Sequence, residues 1–280
     1  MMPTQDYVCI CGNKAFSKVF VYTAPPEDEV RFKSVQYDNY YREILKCDLC
    51  GHFISSYQMD LGSLYTGDYV ASNYKDIDGI HTNFKRIISL DPEESDNAGR
   101  TETINRFAKK HFSNGIEGRT LLDIGSGLGV FPYAMKQSGW VCTALDPDHN
   151  AVKHLEVLVG VHALHGELLT ISDPGIFDVI TFNKVLEHVG DPIRMLKESK
   201  QYLKHEGFVY VELPDAEMAA YDGQEREEFS IDHLHIFSLT SVAIFAQRAG
   251  FVPVLIERLQ EPSTKYSLRM FLVKHNGEGI

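Results

Sequence analysis

The chain has 280 residues and carries 39 acidic against 27 basic side chains, a net charge of −12 with histidine neutral. Nucleic-acid-binding proteins usually present a basic surface, because neutralising phosphates provides much of their affinity, so this acidic balance disfavours an RNA or DNA partner. No apolar stretch approaches the roughly 20 residues that cross a bilayer, and residues 1–6 do not resemble a secretory signal. We therefore expect a cytoplasmic protein without a nucleic-acid or membrane partner.

Four of the five cysteines fall within the first fifty residues, as Cys9-x-Cys11 and Cys47-x-x-Cys50. In a cytoplasmic chain, such clustered pairs favour a metal site over disulfides. Each pair is followed by a glycine, and such a turn lets backbone N–H groups point at the sulfur atoms. We predict a structural Zn²⁺ ion with four sulfur ligands and no open position for water. Free structural thiols or a different metal are the alternative.

The residues before the first long helix divide into two predicted segments. Residues 1–60 are expected to form a small zinc-binding β segment, with strands over 16–22 and 43–45 and a loop over 24–29. A segment of this size buries little apolar surface alone, so a metal ion would stabilise its fold. Residues 61–95 are rich in Tyr, Asp and Asn and are predicted to form a connector over a ligand cleft.

From residue 96 to residue 280 helices and strands alternate, which requires a mainly parallel sheet with helices on both faces. We therefore predict an α/β, Rossmann-like, doubly wound domain that binds its ligands at the carboxyl ends of the strands. The predicted strands are 120–124, 141–145, 162–164, 177–183 and 207–213; the predicted helices are 96–112, 130–138, 149–158, 192–203 and 239–249; a terminal hairpin is predicted over 251–258 and 266–274.

The strand over 120–124 leads into a glycine-rich turn, since residues 121–129 read Leu-Leu-Asp-Ile-Gly-Ser-Gly-Leu-Gly. A turn of this kind brings backbone amides against a nucleotide-like ligand. A dinucleotide site needs G-x-G-x-x-G, with its third glycine beside the pyrophosphate. Here Gly129 comes one residue early, and Val130 occupies the third-glycine position. The spacing favours a cofactor that has no pyrophosphate.

Two further segments follow in a recognisable order. Asp146 ends the second strand about twenty residues after the glycine turn, where a ribose-binding acid is found in such units. Residues 177–192 contain Val-Leu-Glu-His-Val-Gly-Asp-Pro. Together the three motifs resemble the class I methyltransferases that depend on S-adenosylmethionine (SAM). The resemblance implies that fold and SAM as cofactor, with residues 61–95 covering the cofactor cleft; a doubly wound domain without a cofactor is the alternative.

The resemblance also implies roles on the cofactor side. Asp123 is expected to orient the turn and the methionine amino group, Asp146 to accept hydrogen bonds from both ribose hydroxyls, and Asn183 to lie beside the sulfonium. For Glu187 and His188, packing at a helix start and direct ligand contact are both open. The full set of expected SAM-binding residues is Asp123, Gly125, Ser126, Gly127, Gly129, Asp146, Pro147, Glu167, Leu168, Asn183 and His188.

Residues 214–238 are expected to form a lid over the acceptor, and they end in Asp232-His-Leu-His-Ile-Phe-Ser238. This ending resembles the E-H-L-x-x-F-S signature of zinc-motif methyltransferases acting on nucleotide-linked sugars, in which the histidine is the proposed general base. His233 and His235 are therefore the candidate catalytic residues, and an ordinary histidine pKa of ~6.5 suits a base. For His233, a positioning or packing role and a catalytic metal are alternatives; for His235, capping of the next helix is one.

The same segment differs from the sugar C-methyltransferases at Ser230, where they carry a tyrosine, and they also possess a further C-terminal domain. These differences argue against carbon methylation. The segment carries seven acidic residues against Arg226, which predicts either a solvated lid face or a site that prefers neutral or cationic acceptors. The seven are Asp215, Glu217, Asp222, Glu225, Glu227, Glu228 and Asp232.

The sequence thus predicts SAM-dependent methyl transfer to a small-molecule acceptor, a hydroxyl of a sugar or natural-product intermediate, with His233 as base. The alternatives are a C-methyltransferase on a nucleotide-linked sugar or related carbon acid, and a SAM-binding assembly module with little catalysis. A macromolecule methyltransferase would need a contiguous basic surface. The sequence predicts no particular oligomeric state.

Overall fold

A computed structural model describes residues 7–27, 29, 31–32, 37, 40–57 and 77–275 of the chain. The expectations for residues 1–6 and for residues 61–76 of the predicted connector, which include the tyrosines at positions 65, 69 and 74, lie outside the described residues.

A seven-stranded sheet forms the centre of the molecule, in the order β6-β5-β4-β7-β8-β11-β10. Its first five strands are parallel, and the C-terminal hairpin adds two antiparallel strands. This arrangement confirms the predicted fold class. The strands are β4 (Thr120–Ile124), β5 (Val141–Asp146), β6 (His162–His165), β7 (Phe177–Asn183), β8 (Leu203–Pro214), β10 (Phe251–Gln260) and β11 (Tyr266–Lys274).

Helices cover both faces of this sheet because successive strand residues point to opposite sides. Leu121 of β4 packs with residues of the helices Asp96–His111 and Val130–Gln137, whereas its neighbour Leu122 packs with residues of the helices Pro192–Glu198 and Leu239–Arg248. The helices of the described residues are α1 (Ile77–Ile88), α2 (Asp96–His111), α3 (Val130–Gln137), α4 (His149–His154), α5 (Pro192–Glu198), α6 (Ala216–Asp222) and α7 (Leu239–Arg248). None of them is both long and apolar enough to span a membrane.

Two predicted element boundaries are wrong. The predicted helix over 149–158 is α-helical only to His154 and continues as a π-helical turn over Leu155–Val159. The predicted helix over 192–203 ends as a 3₁₀ turn, and β8 begins at Leu203, four residues before the predicted start. The sequence did not predict the first residues of β8, because residues 204–206 are polar and exposed, although Leu203 already pairs with Phe177.

A second, antiparallel sheet joins the cysteine-bearing segment to the segment predicted as a lid. It consists of β1 (Phe16–Tyr22), β2 (Arg42–Cys47), β3 (Phe53–Tyr57) and β9 (His235–Ile236), in that order. Ile44 and Phe53 pack with Phe229 and Ile231 in one apolar cluster. The segment over residues 214–238 therefore contributes a strand to this sheet and apolar side chains to its core.

The prediction of a solvated acidic face on this segment is wrong for Asp215, Glu228 and Asp232, which are all buried. Asp215 pairs with Arg258, and Glu228 pairs with Arg226 at 2.8 Å. The Oδ2 atom of Asp232 lies 3.5 Å from the His188 ring. The acidic side chains are buried because each has a cationic or hydrogen-bonding partner, which composition alone does not reveal.

Candidate functional site

The glycine-rich turn lies at the carboxyl end of β4, where α3 begins. Gly127 has a φ of +48°, and a Cβ atom built on it would meet no other atom within 4 Å. A Cβ on Gly129, by contrast, would lie 2.6 Å from Leu155 and 2.8 Å from Val159. The turn therefore packs against the π-helical turn at Gly129 and leaves open space at Gly127, where a ligand has room to approach the backbone.

Hydrogen bonds from the neighbouring strands hold this turn. Asp146, at the end of β5, accepts the N–H of Gly127 at 2.8 Å and that of Asp148 at 2.9 Å. The N–H of Gly125 donates to Leu145 O at 2.8 Å, and Ser126 Oγ donates to Asp123 O at 2.9 Å. Burial raises the pKa of Asp146, against the effect of these N–H donors. The Asp146 carboxylate thus holds the glycine turn, and the binding of ribose hydroxyls stays a prediction.

Asp123 and Asn183 meet at the ends of the adjacent strands β4 and β7. Asp123 Oδ1 accepts hydrogen bonds from Asn183 Nδ2 at 2.8 Å and from Thr181 Oγ1 at 2.7 Å. The residue is 1% exposed, and burial raises its pKa to about 6. Among the described residues, Asn183 Oδ1 is buried without a hydrogen-bond partner. A buried orphan acceptor beside a carboxylate suits a cationic amino group.

The segment after β6 forms the other side of this edge. The N–H of Gly166 donates to Asp146 O at 3.0 Å, and His165 Nε2 donates to Pro147 O at 2.9 Å. Leu168 is buried, whereas Glu167 is exposed. These contacts hold the start of this segment beside Asp146 and Pro147. The binding of SAM by Pro147, Glu167 and Leu168 stays a prediction.

Two histidines from distant parts of the chain meet beyond the end of β7. The ring centroids of His188 and His233 are 4.9 Å apart. His188 Nδ1 bonds to Asp232 O at 2.9 Å, and His233 Nδ1 bonds to Glu228 O at 2.8 Å. Because a carbonyl oxygen only accepts, Nδ1 is the donor in both rings, and in the neutral form Nε2 carries the lone pair. Burial lowers the pKa of His233 to about 4 although Asp232 opposes the shift, so the ring is neutral near pH 7.

Glu187 lies beside these rings and was not singled out as a functional residue from the sequence. One ligand atom from each of Glu187, His188 and His233 lies within 4.8 Å of the other two. Glu187 is 0% exposed, and burial raises its pKa. Within the described ranges, neither of its carboxylate oxygens has a hydrogen-bond partner. The only sequence signal for Glu187 was its place beside His188 in the motif over residues 177–192. That signal left a packing role and direct ligand contact equally open.

His235 has other partners than His233. Its Nδ1 atom lies 3.1 Å from His52 Nε2, and β9 pairs it with Ile54 of β3. Burial lowers the pKa of His235 to about 4, against a hydrogen bond to the Gly190 backbone. The alternative that His235 caps the next helix is wrong, because Ser238 caps α7 in a reciprocal arrangement with Ser241.

The four N-terminal cysteines converge on one point. The Sγ–Sγ distances are 3.4 Å for Cys9 and Cys50 and 3.6 Å for Cys11 and Cys47, and all four sulfurs lie within 4.8 Å of one another. Four sulfurs around a tetrahedral Zn²⁺ at ~2.3 Å would lie about 3.8 Å apart, so the donor set fits that ion. Burial acts to raise the pKa of Cys47, but the N–H groups of Cys50 and Leu49 and the Asn13 amide outweigh it and bring the pKa to about 6.

The cysteine cluster is connected to the histidine cluster through β3. Ser55 Oγ donates to His233 O at 2.6 Å, and Tyr57 Oη donates to Ile231 O at 2.6 Å. The turn over residues 47–51, here called the knuckle, carries the second cysteine pair. It is held by Ser238 Oγ, which donates to Cys50 O at 2.6 Å. The strand that follows the second cysteine pair therefore fixes the backbone that carries His233.

Comparison with known proteins gives a consistent assignment. A family model described as a methyltransferase domain matches residues 96–256, from the start of α2 into β10. The ubiquinone biosynthesis O-methyltransferases of Haemophilus ducreyi and Pseudomonas paraeruginosa are 30% and 32% identical over 122 and 114 residues. These matches cover 39% and 38% of this chain and 51% and 49% of theirs. The chain thus spans about half the length of the curated relatives it matches.

A solved structure supports the same fold. Magnesium protoporphyrin IX methyltransferase from Synechocystis PCC 6803, with bound S-adenosylhomocysteine, aligns with a TM-score of 0.53 and 12% sequence identity. The alignment covers 72% of this chain and 98% of the other. At this identity the likeness concerns the fold, and it agrees with the Rossmann-like sheet described above.

Proposed function

The chain belongs to the methyltransferase-domain family, and on this premise we propose that it transfers the methyl group of SAM to a hydroxyl of a small-molecule acceptor. The observation that carries the proposal is the meeting of two groups of residues at one sheet edge. The glycine turn, Asp123 and Asn183 lie at the ends of β4 and β7. His188, in the turn that follows β7, lies with its ring 4.9 Å from that of His233.

On the cofactor side, SAM supplies a methyl group that is already activated by its sulfonium. The open space at Gly127 suits close approach of the cofactor to the backbone. The Asp123 carboxylate and the orphan oxygen of Asn183 suit its amino group, which is a cation. Asp146 is the proposed ribose ligand, and each of its oxygens accepts one backbone N–H. Each oxygen keeps a further lone pair for a hydroxyl.

On the acceptor side, a hydroxyl must lose its proton as it attacks the methyl group. His233 is the candidate base, because Glu228 O holds its Nδ1 hydrogen and so leaves the Nε2 lone pair to accept the proton. The relatives named O-methyltransferases favour oxygen as the target. We propose a sugar or natural-product hydroxyl as the acceptor.

The proposal includes a structural Zn²⁺ ion on Cys9, Cys11, Cys47 and Cys50. With four sulfur ligands such an ion has no open position, so it would take no part in methyl transfer. Its proposed role is to stabilise the turns that precede β1 and β3, and through Ser55 the backbone at His233.

The test is methyl transfer from labelled SAM to a panel of sugars, sugar derivatives and small phenols or alcohols, with the methylated atom assigned by NMR. We expect an O-methylated product and a His233→Asn variant that binds SAM normally but turns over about 10²–10⁴-fold more slowly. The matched control is His111→Asn, an exposed histidine on α2. A His233→Asn variant with undiminished turnover would refute the assignment, and a methylated carbon would refute the O-methyl proposal.

A further inference from the structure

We propose that Glu187, His188 and His233 bind a divalent transition-metal ion that holds the hydroxyl oxygen of the acceptor. The reaction assigned to the ion rests on the proposed function. The ion site itself rests on the three side chains alone, so the two can fail separately.

The first argument is the state of the Glu187 carboxyl. The other fully buried glutamates in the described part of the chain each face an arginine: Glu212 at 3.1 Å from Arg269, Glu228 at 2.8 Å from Arg226, and Glu261 at 2.8 Å from Arg269. Glu187 has no such ion pair and no hydrogen bond to its carboxylate among the described residues. Buried carboxylates are normally paired or coordinate a metal, because an uncompensated buried charge is strongly unfavourable.

The second argument is the orientation of the two imidazole rings. His188 and His233 both use Nδ1 to donate to a backbone carbonyl, of Asp232 and Glu228 respectively. Metal-binding histidines characteristically donate one ring N–H to a carbonyl or carboxylate, which fixes the tautomer and leaves the other nitrogen as the ligand atom. Two rings in this state, beside an unpaired carboxylate, form a set of one oxygen and two nitrogen donors.

The third argument is spacing. One possible ligand atom from each side chain, with either ring nitrogen counted for a histidine, lies within 4.8 Å of those of the other two. Ligands at about 2.1 Å from one ion lie about 3–3.5 Å apart, so an ion would draw these side chains inward by small torsional changes. Three protein ligands leave at least one position open, as catalytic rather than structural sites do. The cysteine cluster differs in this respect, because its four soft sulfur donors leave no open position.

The donor set indicates the class of ion. Two imidazole nitrogens and one carboxylate suit Mn²⁺, Fe²⁺, Co²⁺ or Zn²⁺, whereas Mg²⁺ and Ca²⁺ favour oxygen ligands throughout. An ion bound here lowers the pKa of a coordinated hydroxyl, whose proton leaves to water. The acceptor oxygen then forms a bond to the methyl carbon as the carbon–sulfur bond breaks, and the electron pair of that bond stays on sulfur in S-adenosylhomocysteine. In this scheme His233 binds the ion and water accepts the proton of the hydroxyl. Without an ion, the proposed function has His233 accept that proton.

The site is tested on the full chain with its cysteine cluster loaded with zinc. Mn²⁺ is titrated and followed by the loss of the aqueous Mn²⁺ EPR signal, and Co²⁺ is added separately, since thiolate charge-transfer bands would reveal any binding to cysteine. We expect one Mn²⁺ per chain and no thiolate bands with Co²⁺. Glu187→Gln and His233→Asn are each expected to weaken Mn²⁺ binding at least tenfold. Glu102→Gln and His111→Asn, on the exposed side of α2, are the matched controls and should bind as the parent does.

Thermal melting of each variant checks that the fold is retained, and Glu187→Gln removes a buried charge while preserving the shape of the side chain. Absence of Mn²⁺ and Co²⁺ binding, or equal binding in Glu187→Gln, would overturn the site. Methyl transfer that continues unchanged in a chelator that leaves the cysteine zinc in place would overturn the ion's role and leave the proposed function standing. Glu187-dependent Mn²⁺ binding in a chain that methylates no acceptor would support the site and count against the proposed function.

Discussion

Replacing Glu212 by glutamine tests whether a buried ion network joins the helix layer to the sheet. Glu212, in β8, is fully buried and accepts hydrogen bonds from Arg100 Nε of α2 at 2.9 Å and from Arg269 Nε of β11 at 3.1 Å. The hydroxyl of Tyr210 adds a third at 2.7 Å. Burial acts to raise the pKa of Glu212, but Arg100, followed by Lys184 and Arg269, holds it well below its usual range. The carboxylate is therefore the charged centre of the network.

The magnitude follows from what the substitution leaves behind. In Glu212→Gln the two arginines share one remaining carboxylate, Glu261, whose two oxygens both lie 2.8 Å from Arg269 Nη2. One positive charge is then uncompensated in a buried position, and breaking such a pair typically costs about 3–5 kcal/mol. Glutamine preserves the volume, so no cavity contributes. The melting temperature should fall by roughly 6–15 °C.

The assay is urea unfolding monitored by circular dichroism, together with thermal melting. Glu102→Gln is the control, because Glu102 is exposed and its ion pair with Arg106 spans 3.9 Å, so a change of at most about 0.5 kcal/mol is expected. Arg100→Met in the Glu212→Gln background should recover part of the loss, since it removes the unpaired charge. A loss below about 1 kcal/mol in Glu212→Gln would refute the reasoning that the network is held by charge.

Three further outcomes are expected. Asp178→Asn should cost about 2 kcal/mol of unfolding free energy near neutral pH, because hydrogen bonds from Lys204 and Thr120 outweigh burial and lower the pKa of Asp178 from ~3.9 to about 2. This stabilisation is present above the pKa of the unfolded chain and is lost as the pH falls from about 4 to about 2. The difference in unfolding free energy between parent and variant, measured by urea titration, should therefore disappear over that range, and a constant difference would contradict the prediction. Gly129→Ala should lose more stability and more SAM affinity than Gly118→Ala, as measured by urea unfolding and by calorimetry. Both glycines have φ near +70°, but of the two only Gly129 has other atoms within 4 Å of the position that a Cβ would take. Equal losses in the two variants would rule out the packing argument. Cys47→Ser should release the zinc and slow methyl transfer while SAM binding persists, measured by metal content and turnover; full turnover without zinc would exclude a link from the knuckle to the acceptor site.

The fold of the central domain was predictable because its signals are local. The alternation of apolar strands with amphipathic helices, and the glycine turn after Ile124, are each contained in a few neighbouring residues. The same holds for the cysteine pairs, whose spacing predicted a cluster that the sulfur distances bear out. The boundaries that failed, at Leu203 and after His154, are places where pairing or packing overrides the local pattern.

The acceptor side was harder to predict because its contacts join residues far apart in the chain. His235 pairs with His52 across 183 positions, and Ser55 reaches His233 O across 178. No local periodicity indicates such pairings, so the strand that residues 214–238 add to the N-terminal sheet was not predicted, and the lid role of this segment stays a prediction. The position of Glu187 depends on the same segment, since the Leu234 N–H donates to its backbone oxygen at 2.8 Å.

The pairing of β9 with β3 has a consequence for how the chain acquires its structure. β1, β2 and β3 are synthesised within the first 57 residues, yet the strand that completes their sheet, His235–Ile236, is made about 180 residues later. During synthesis, the β3 edge and one apolar face of the N-terminal sheet therefore stay uncovered until most of the central domain has been made. A fragment cut at residue 96, where the family match begins, would in turn leave Phe229, Ile231 and Ile236 without the strands that bury them. The two parts are separate in sequence but are expected to fold as one cooperative unit.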